Sequence, residues 1–455
     1  MHQISQVGLR RFPSALLPLG LSLAGVLAGV AIAQGWWAYL LMFTLAPFFW
    51  YFPVQTALGL FAFSIPFEGL SQLGGGTTAV WVLGLLAGGT LVAIGLLDDR
   101  LVRPPRTAIY WAFFLLWVGL SVLWAVEPKG ALRQLATAAA LVMFYFMAVS
   151  FRIAEKEFEW VTRLAIVGGC LAGMLALYQY SAGIAWETGM GASMVSRASL
   201  TVGENQVNPD FFGFKLIIPV SFALAAFLSA RTRLGRFLSF CALGITVLAL
   251  LLTMSRAAVL SLGVLLVVFF VRLRLYRRLM PVVLLAAILL ASMPATFYRR
   301  IQEAGETGGA GRLDIWEAGL EMFKHYPLFG TGLGNFPIVY QQYAGFSRKF
   351  HGFTRSPHNI YLSILVDVGI LGLGLFVMAV VRQARDVSQF RKNTGPPTVW
   401  VVAGEAAFYS LLVYGFFVDL IWDKAFWLAG IFLAFAIAVQ AHKADVLTQA
   451  SASSA

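Results

Sequence analysis

The chain has 455 residues, 59% hydrophobic and only 12% charged, with a mean hydropathy of +0.79 and a formal charge of +12. Soluble domains carry charge on about a quarter of their residues, so this composition excludes a soluble globular protein and points to a polytopic membrane protein. The positive charge does not indicate a nucleic-acid partner, because Lys and Arg lie in short clusters between apolar runs, the pattern of membrane orientation. Many separate runs near bilayer length, with Gly and aromatics mixed in rather than strand-like alternation, favour helices over a barrel, and the expected fold class is all-α. Cys170 and Cys241 both lie in apolar runs, which argues against a disulfide framework and a Cys-based metal site.

In chain order, the run 14–33 follows Arg10 and Arg11 and ends in Ala31-Ile32-Ala33, which imitates a signal-peptide cleavage site. Because another apolar run follows within a few residues, it is read as an uncleaved first span. Residues 36–67, interrupted by Pro47 and Pro53, allow two short helices or one broken one. Spans follow near 78–97, 107–126, 131–151 and 161–182, then a polar loop to Asp210, then spans near 211–230, 236–254, 257–272 and 278–295. A large polar loop, 296–358, precedes C-terminal spans near 359–381, 398–418 and 425–441 and a tail, 442–455. The basic clusters, such as Arg100/Arg103/Arg106, Arg231/Arg233/Arg236 and Arg382/Arg385/Arg391, fall on alternate connections. Those connections are assigned to the cytoplasm. Both termini then lie there, the large loop lies opposite, and an even number of helices, twelve to fourteen, is expected.

The loop concentrates Arg299, Arg300, Arg312, Lys324, Arg348, Lys349 and Arg355, together with His325, His351 and His358. A polar loop of this length in a membrane protein marks function. Arg256, in Thr253-Met254-Ser255-Arg256, sits between two apolar runs with almost no polar loop to hold it. It is read either as an anion ligand or as a boundary residue whose charge snorkels to water. Arg312 opens a segment in which Leu313, Trp316, Leu320 and Phe323 recur at helical spacing, predicting an amphipathic helix that ends near Pro327. In its first turn Arg312 could join backbone N–H groups in holding phosphate, or form a solvated ion pair with Asp314 or Glu317. His358, three residues after Arg355 and at the entry to a span, suits a general base for an alcohol, although a lone His is often structural. The glycine-rich Gly330-Thr331-Gly332-Leu333-Gly334 lacks the Lys-Ser/Thr of a phosphate loop and is read as a tight turn. No carboxylate or His cluster has convincing metal-ligand spacing. Arg-rich with one base, the site suits a phosphate ester or pyrophosphate, and its membrane setting suggests a lipid-linked one.

These residues carry a resemblance to the bacterial O-antigen ligase and O-antigen polymerase superfamily. It rests on Thr253-Met254-Ser255-Arg256-Ala257, on Arg312 with Trp316 and the run from Pro327 to Phe336, and on His358-Asn359 with Gly369-Ile370-Leu371-Gly372, and it covers roughly 203–381. The resemblance implies a GT-C-like glycosyltransferase of the inner membrane that acts on the periplasmic face. It would move O-antigen polysaccharide from undecaprenyl pyrophosphate to lipid A–core oligosaccharide, with neither metal nor other cofactor, and with inversion if attack is direct. Arg256 and Arg312 would hold the pyrophosphate, and His358 would help deprotonate the acceptor hydroxyl. Arg197 and Arg355 are secondary candidates for phosphate or sugar contact, as are Asn335, Asn359 and Tyr361. O-antigen polymerase, protein O-oligosaccharyltransferase and, outside enzymes, a polysaccharide-lipid flippase remain alternatives. A flippase would use ionisable groups near the bilayer midplane, for which Glu405 and Asp367 are the candidates.

Overall fold

The computed structural model describes residues 46–70, 72–74, 77–188, 194–274, 276–293, 295, 297–299, 302, 311–346 and 355–453. The run 14–33 lies outside the described residues, as do Arg300, Arg348, Lys349 and His351. The chain divides into two units, 1–56 and 57–455; the described part of the first, 46–56, is short and mostly helical, and the second forms the helical body.

The helices from Pro53 onward are α1 (Pro53–Ser64), α2 (Ala79–Leu97), α3 (Arg106–Leu120), α4 (Pro128–Val149), α5 (Glu155–Ser181), α6 (Pro209–Lys215), α7 (Ile217–Ser229), α8 (Arg233–Leu252), α9 (Arg256–Leu273), α10 (Tyr276–Ala291), α11 (Arg312–His325), α12 (Phe336–Tyr343), α13 (Ile360–Thr394), α14 (Val399–Tyr414) and α15 (Lys424–Ser453). Among the described residues strands are limited to two-stranded hairpins in the connections, such as Trp186–Thr188 with Val195–Arg197. Among the described residues nine helices are long and apolar enough to cross a membrane, and Pro53–Phe67, Leu279–Ala291 and Val399–Tyr414 are shorter apolar helices. The protein is an all-α polytopic membrane protein.

Helices α6 and α7 run as one span at the centre: 83% of its apolar window is buried, against 28% for α2 at the periphery. Around that centre α9 packs along α14, α3 along α13, and α14 against α7 and α15. Polar caps start several of these helices, with the Thr78, Asn208, Thr232 and Thr398 side chains accepting backbone N–H bonds of the first turn. The basic connections gather at one end of the bundle, where Arg100 pairs with Glu157 and Lys443 with Glu155.

Two bounds and one buried face differ from those expected. Helix α13 continues past Val381 to Thr394, because its polar extension is tied down: Thr107 donates to Asp386, and Arg382 pairs with Asp386 at 2.8 Å. Helix α14 ends at Tyr414, and 415–423 is a turn rather than membrane helix. The amphipathic helix α11 ends at His325 as expected, yet its buried stripe is Ile315, Ala318, Gly319 and Met322. Leu313 and Leu320 are 52% and 49% exposed, while Trp316 and Phe323 flank the stripe. The small Ala318 and Gly319 let α11 lie close to Leu362 of α13 and Phe336 of α12, which the large apolar residues would prevent.

The span expected at 359–381 is also broken. Gly369 adopts φ 71 and ψ −176 inside α13, a conformation that L side chains rarely adopt, and a Cβ there would overlap the Leu328 carbonyl. The backbone groups released by the break are taken up by the turn 327–336: Ile370 N–H donates to Pro327 O at 2.9 Å and Gly332 N–H to Asp367 O at 2.8 Å. The Asp367 carboxylate accepts the Gly334 and Phe336 N–H groups at 2.9 Å each, and Trp117 Nε1 donates to Val368 O.

Candidate active site

Between α8 and α9 the chain reverses in Thr253-Met254-Ser255, with Met254 at φ 52, so Arg256 falls in the first turn of α9. Asn208 caps α6 by accepting the Asp210 N–H at 2.8 Å, which sets Asp210 in that helix's first turn. Helix α11 starts after Gly311, at φ 78, and places Arg312 in its first turn. Before α13 the chain passes through His358 at φ 48, a strained conformation for a residue with a Cβ. That conformation is enforced on both sides: Trp316 Nε1 donates to Pro357 O at 2.8 Å, and Ile360 N–H to Gly415 O at 2.8 Å.

The N-termini of α6, α9, α11 and α13 therefore meet around a cleft of about 300 Å³ lined by Asn208, Asp210, Ser255, Arg256, Arg312, Arg355 and His358, with Met254, Ala257 and Ile315. Each helix N-terminus carries a partial positive charge, so the cleft favours an anion before any side chain is counted, although the first N–H groups of α13 are already taken by Gly415 O and Asn359. Arg256, Arg312 and Arg355 add three guanidinium groups to its wall. The opposing carboxylate, Asp210, is itself shared: Arg197 holds it at 2.7 Å and Arg312 at 3.5 Å. Burial lowers the Arg312 pKa, Asp210 opposes this, and the Arg256 charge lowers it further. An entering anion would relieve that crowding of like charge. Burial also lowers the His358 pKa below its ordinary 6.5, with Arg312 and Arg355 pushing the same way and Asp210 against them. The imidazole is thus neutral and able to take a proton at neutral pH.

Of the residues singled out in the sequence, Arg256, Arg312, Arg355 and His358 come together in the cleft. The Arg312 side chain reaches Asp210, a partner absent from both ion pairs considered from the sequence. Arg197 lies behind the cleft, 4% exposed, with Nε donating to Thr253 O at 2.7 Å, and acts on the site through Asp210. Asn359 is used as the cap of α13, its Oδ1 accepting the Tyr361 and Leu362 N–H groups. The Tyr361 hydroxyl donates to Leu412 O at 2.8 Å. Asn335 stands apart, its Oδ1 accepting the Glu127 N–H and its Nδ2 donating to Leu333 O within the glycine-rich turn. Asp210 and Asn208 are polar cleft residues that the sequence reading missed. Asn208-Pro209-Asp210 directly before an apolar run, a cap, a first-turn Pro and an acid, is the signal that could have placed them at a helix start.

A search of curated proteins finds no match to this chain. A family model described as O-antigen ligase matches residues 241–377, the segment that holds Arg256, Arg312, Arg355 and His358 but neither Asp210 nor Arg197. That segment, about a third of the chain, is similar to the O-antigen ligase family.

Proposed function

We propose that the protein is an O-antigen ligase: a metal-independent, inverting glycosyltransferase that moves O-antigen polysaccharide from undecaprenyl pyrophosphate to lipid A–core oligosaccharide at the periplasmic face of the inner membrane. The family supports ligase- or polymerase-type chemistry in general. The observation that carries the specific reading is the cleft, where Arg256, Arg312 and a neutral His358 line one wall-to-wall space at the end of the bundle away from the basic connections. Lys and Arg clusters mark the cytoplasmic side, so this reading sets the cleft on the opposite one.

In the reaction the acceptor hydroxyl forms a bond to the anomeric carbon as the bond from that carbon to the diphosphate oxygen breaks. The bonding pair leaves with the diphosphate, whose growing charge Arg256 and Arg312 balance. The hydroxyl proton passes to the His358 imidazole. Direct attack from the face opposite the leaving group inverts the anomeric centre. Arg355 and Asn208 line the same space and would meet the sugar or the phosphate.

The flippase alternative loses its candidates. Glu405 is fully buried and chelated by Arg272, whose Nε lies 3.1 and 3.0 Å from its two oxygens, and Asp367 caps the glycine-rich turn. The test is the purified protein with lipid-linked glycan and lipid A–core, with and without chelator. Transfer in both arms supports the proposal; transfer lost with chelator removes metal independence. In a deletion strain the ligase reading expects long glycan left on the carrier and lipopolysaccharide without O-antigen, whereas single repeat units on the carrier would indicate a polymerase.

A further inference from the structure

The stretch from Leu412 to Asp419 lies outside the family-matching segment, yet it touches the helices that deliver the cleft groups. Leu412 O accepts the Tyr361 hydroxyl, and Gly415 O accepts the Ile360 N–H, both in the first turn behind His358. Ser363 donates to Asp419 at 2.9 Å, and the Phe417 ring lies 6.0 Å from the Arg312 guanidinium. At its centre stands Tyr414, fully buried at the end of α14. Its hydroxyl is 3.0 Å from the Asp210 carbonyl and 3.2 Å from Ser255 Oγ, and Ser255 and Asp210 both line the cleft. The hydroxyl bridges the starts of α6 and α9. The chain makes room for it at Gly213, where a Cβ would stand 2.6 Å from the Tyr414 oxygen.

We infer that Tyr414 is a positioning residue of the cleft, its hydroxyl locking the first turn of α6 to the start of α9 so that the Asp210-bound Arg312 and Arg256 keep the spacing a diphosphate requires. The inference rests on the reading of the cleft as a diphosphate site. Tyr414 touches neither donor nor acceptor; it acts through Asp210 and Ser255. A phenyl ring in its place would fill the same apolar space and leave the Asp210 carbonyl and Ser255 without this partner.

The experiment compares full-length wild type, Tyr414→Phe and Ser255→Ala in nanodiscs. Inorganic pyrophosphate binding is measured by calorimetry, transfer kinetics with lipid-linked donor, and melting temperature in parallel. Loss of one buried hydrogen bond weakens pyrophosphate binding roughly five- to tenfold and raises the donor KM by a similar factor, with kcat less affected. Ser255→Ala removes the same link from the other side and reads the effect if Tyr414→Phe does not fold. Wild-type pyrophosphate affinity in the variants, with only a lowered melting temperature, overturns the inference and leaves the functional reading standing. No pyrophosphate binding by the wild-type protein overturns the functional reading itself, and the inference with it.

Discussion

The two ends of α6 bury charge in opposite ways. At its C-terminus Lys215 meets Glu68 at 2.8 Å and Asp423 at 3.5 Å, and Lys424 also pairs with Glu68. Two cations face two acids, and the charge is closed within the protein. Burial alone would raise the Glu68 pKa, but Lys215 and Lys424 outweigh it and hold the carboxyl at about 2. At the N-terminus Arg197, Arg256 and Arg312 surround the single Asp210 carboxylate, at the meeting point of several helix N-termini. A balanced cluster is a structural joint. An unbalanced one, open to a cleft, is completed by what binds there.

That contrast can be broken in several ways. The largest effect is expected for His358→Ala, which removes the proposed base and should lower transfer about 10²- to 10⁴-fold while membrane insertion is retained. Normal O-antigen display in that variant would take His358 out of the mechanism. Lys215→Met tests the balanced end: it strands the buried Asp423, leaves Glu68 with Lys424 alone, and is expected to cost about 3–5 kcal/mol of stability, read as a lowered melting temperature, with pyrophosphate affinity of the surviving folded protein unchanged. A binding defect without a stability loss would show that the two ends are one site. Arg256→Ala and Arg312→Ala reverse the pattern, each weakening donor binding by about 1.5–3 kcal/mol, roughly ten- to a hundredfold, with little change in melting temperature. Wild-type donor affinity in both contradicts the assignment of the cleft.

The smallest effect is on pH dependence. With His358 as the proposed neutral base and its pKa lowered, kcat/KM should rise with pH to a plateau through a midpoint below the ordinary 6.5. Arg355 contributes to that lowering, so Arg355→Gln should move the limb to higher pH. A shift to lower pH, or none, separates Arg355 from the imidazole.

Most helices were legible because each apolar run has to bury or span as a unit, and Arg256, Arg312 and His358 stood out because lone polar groups at apolar boundaries need a reason. What escaped depends on partners far along the chain. Lys424 meets Glu68 across 356 positions and Tyr414 reaches Asp210 across 204, and no local pattern announces such pairs. The extension of α13 was hidden for the same reason, since Thr107 stabilises it from 279 positions away. The facing of α11 misled through size: Leu313 and Leu320 look like core residues, but close packing against α13 selects Ala318 and Gly319.

The interruption at Gly369 gives α13 two mechanical parts. Beyond it, residues 370–394 form a long rod, and such rods change tilt when a bilayer thins or thickens. Before it, a short piece is fastened by the Asp367 cap, the Trp117 bond to Val368 and the Gly415 bond to Ile360. The break separates the direction of the rod from that of the piece that follows His358. The placing of the imidazole over its cleft is therefore set by the turns at 327–336 and 415–423 rather than by the long apolar rod beyond them.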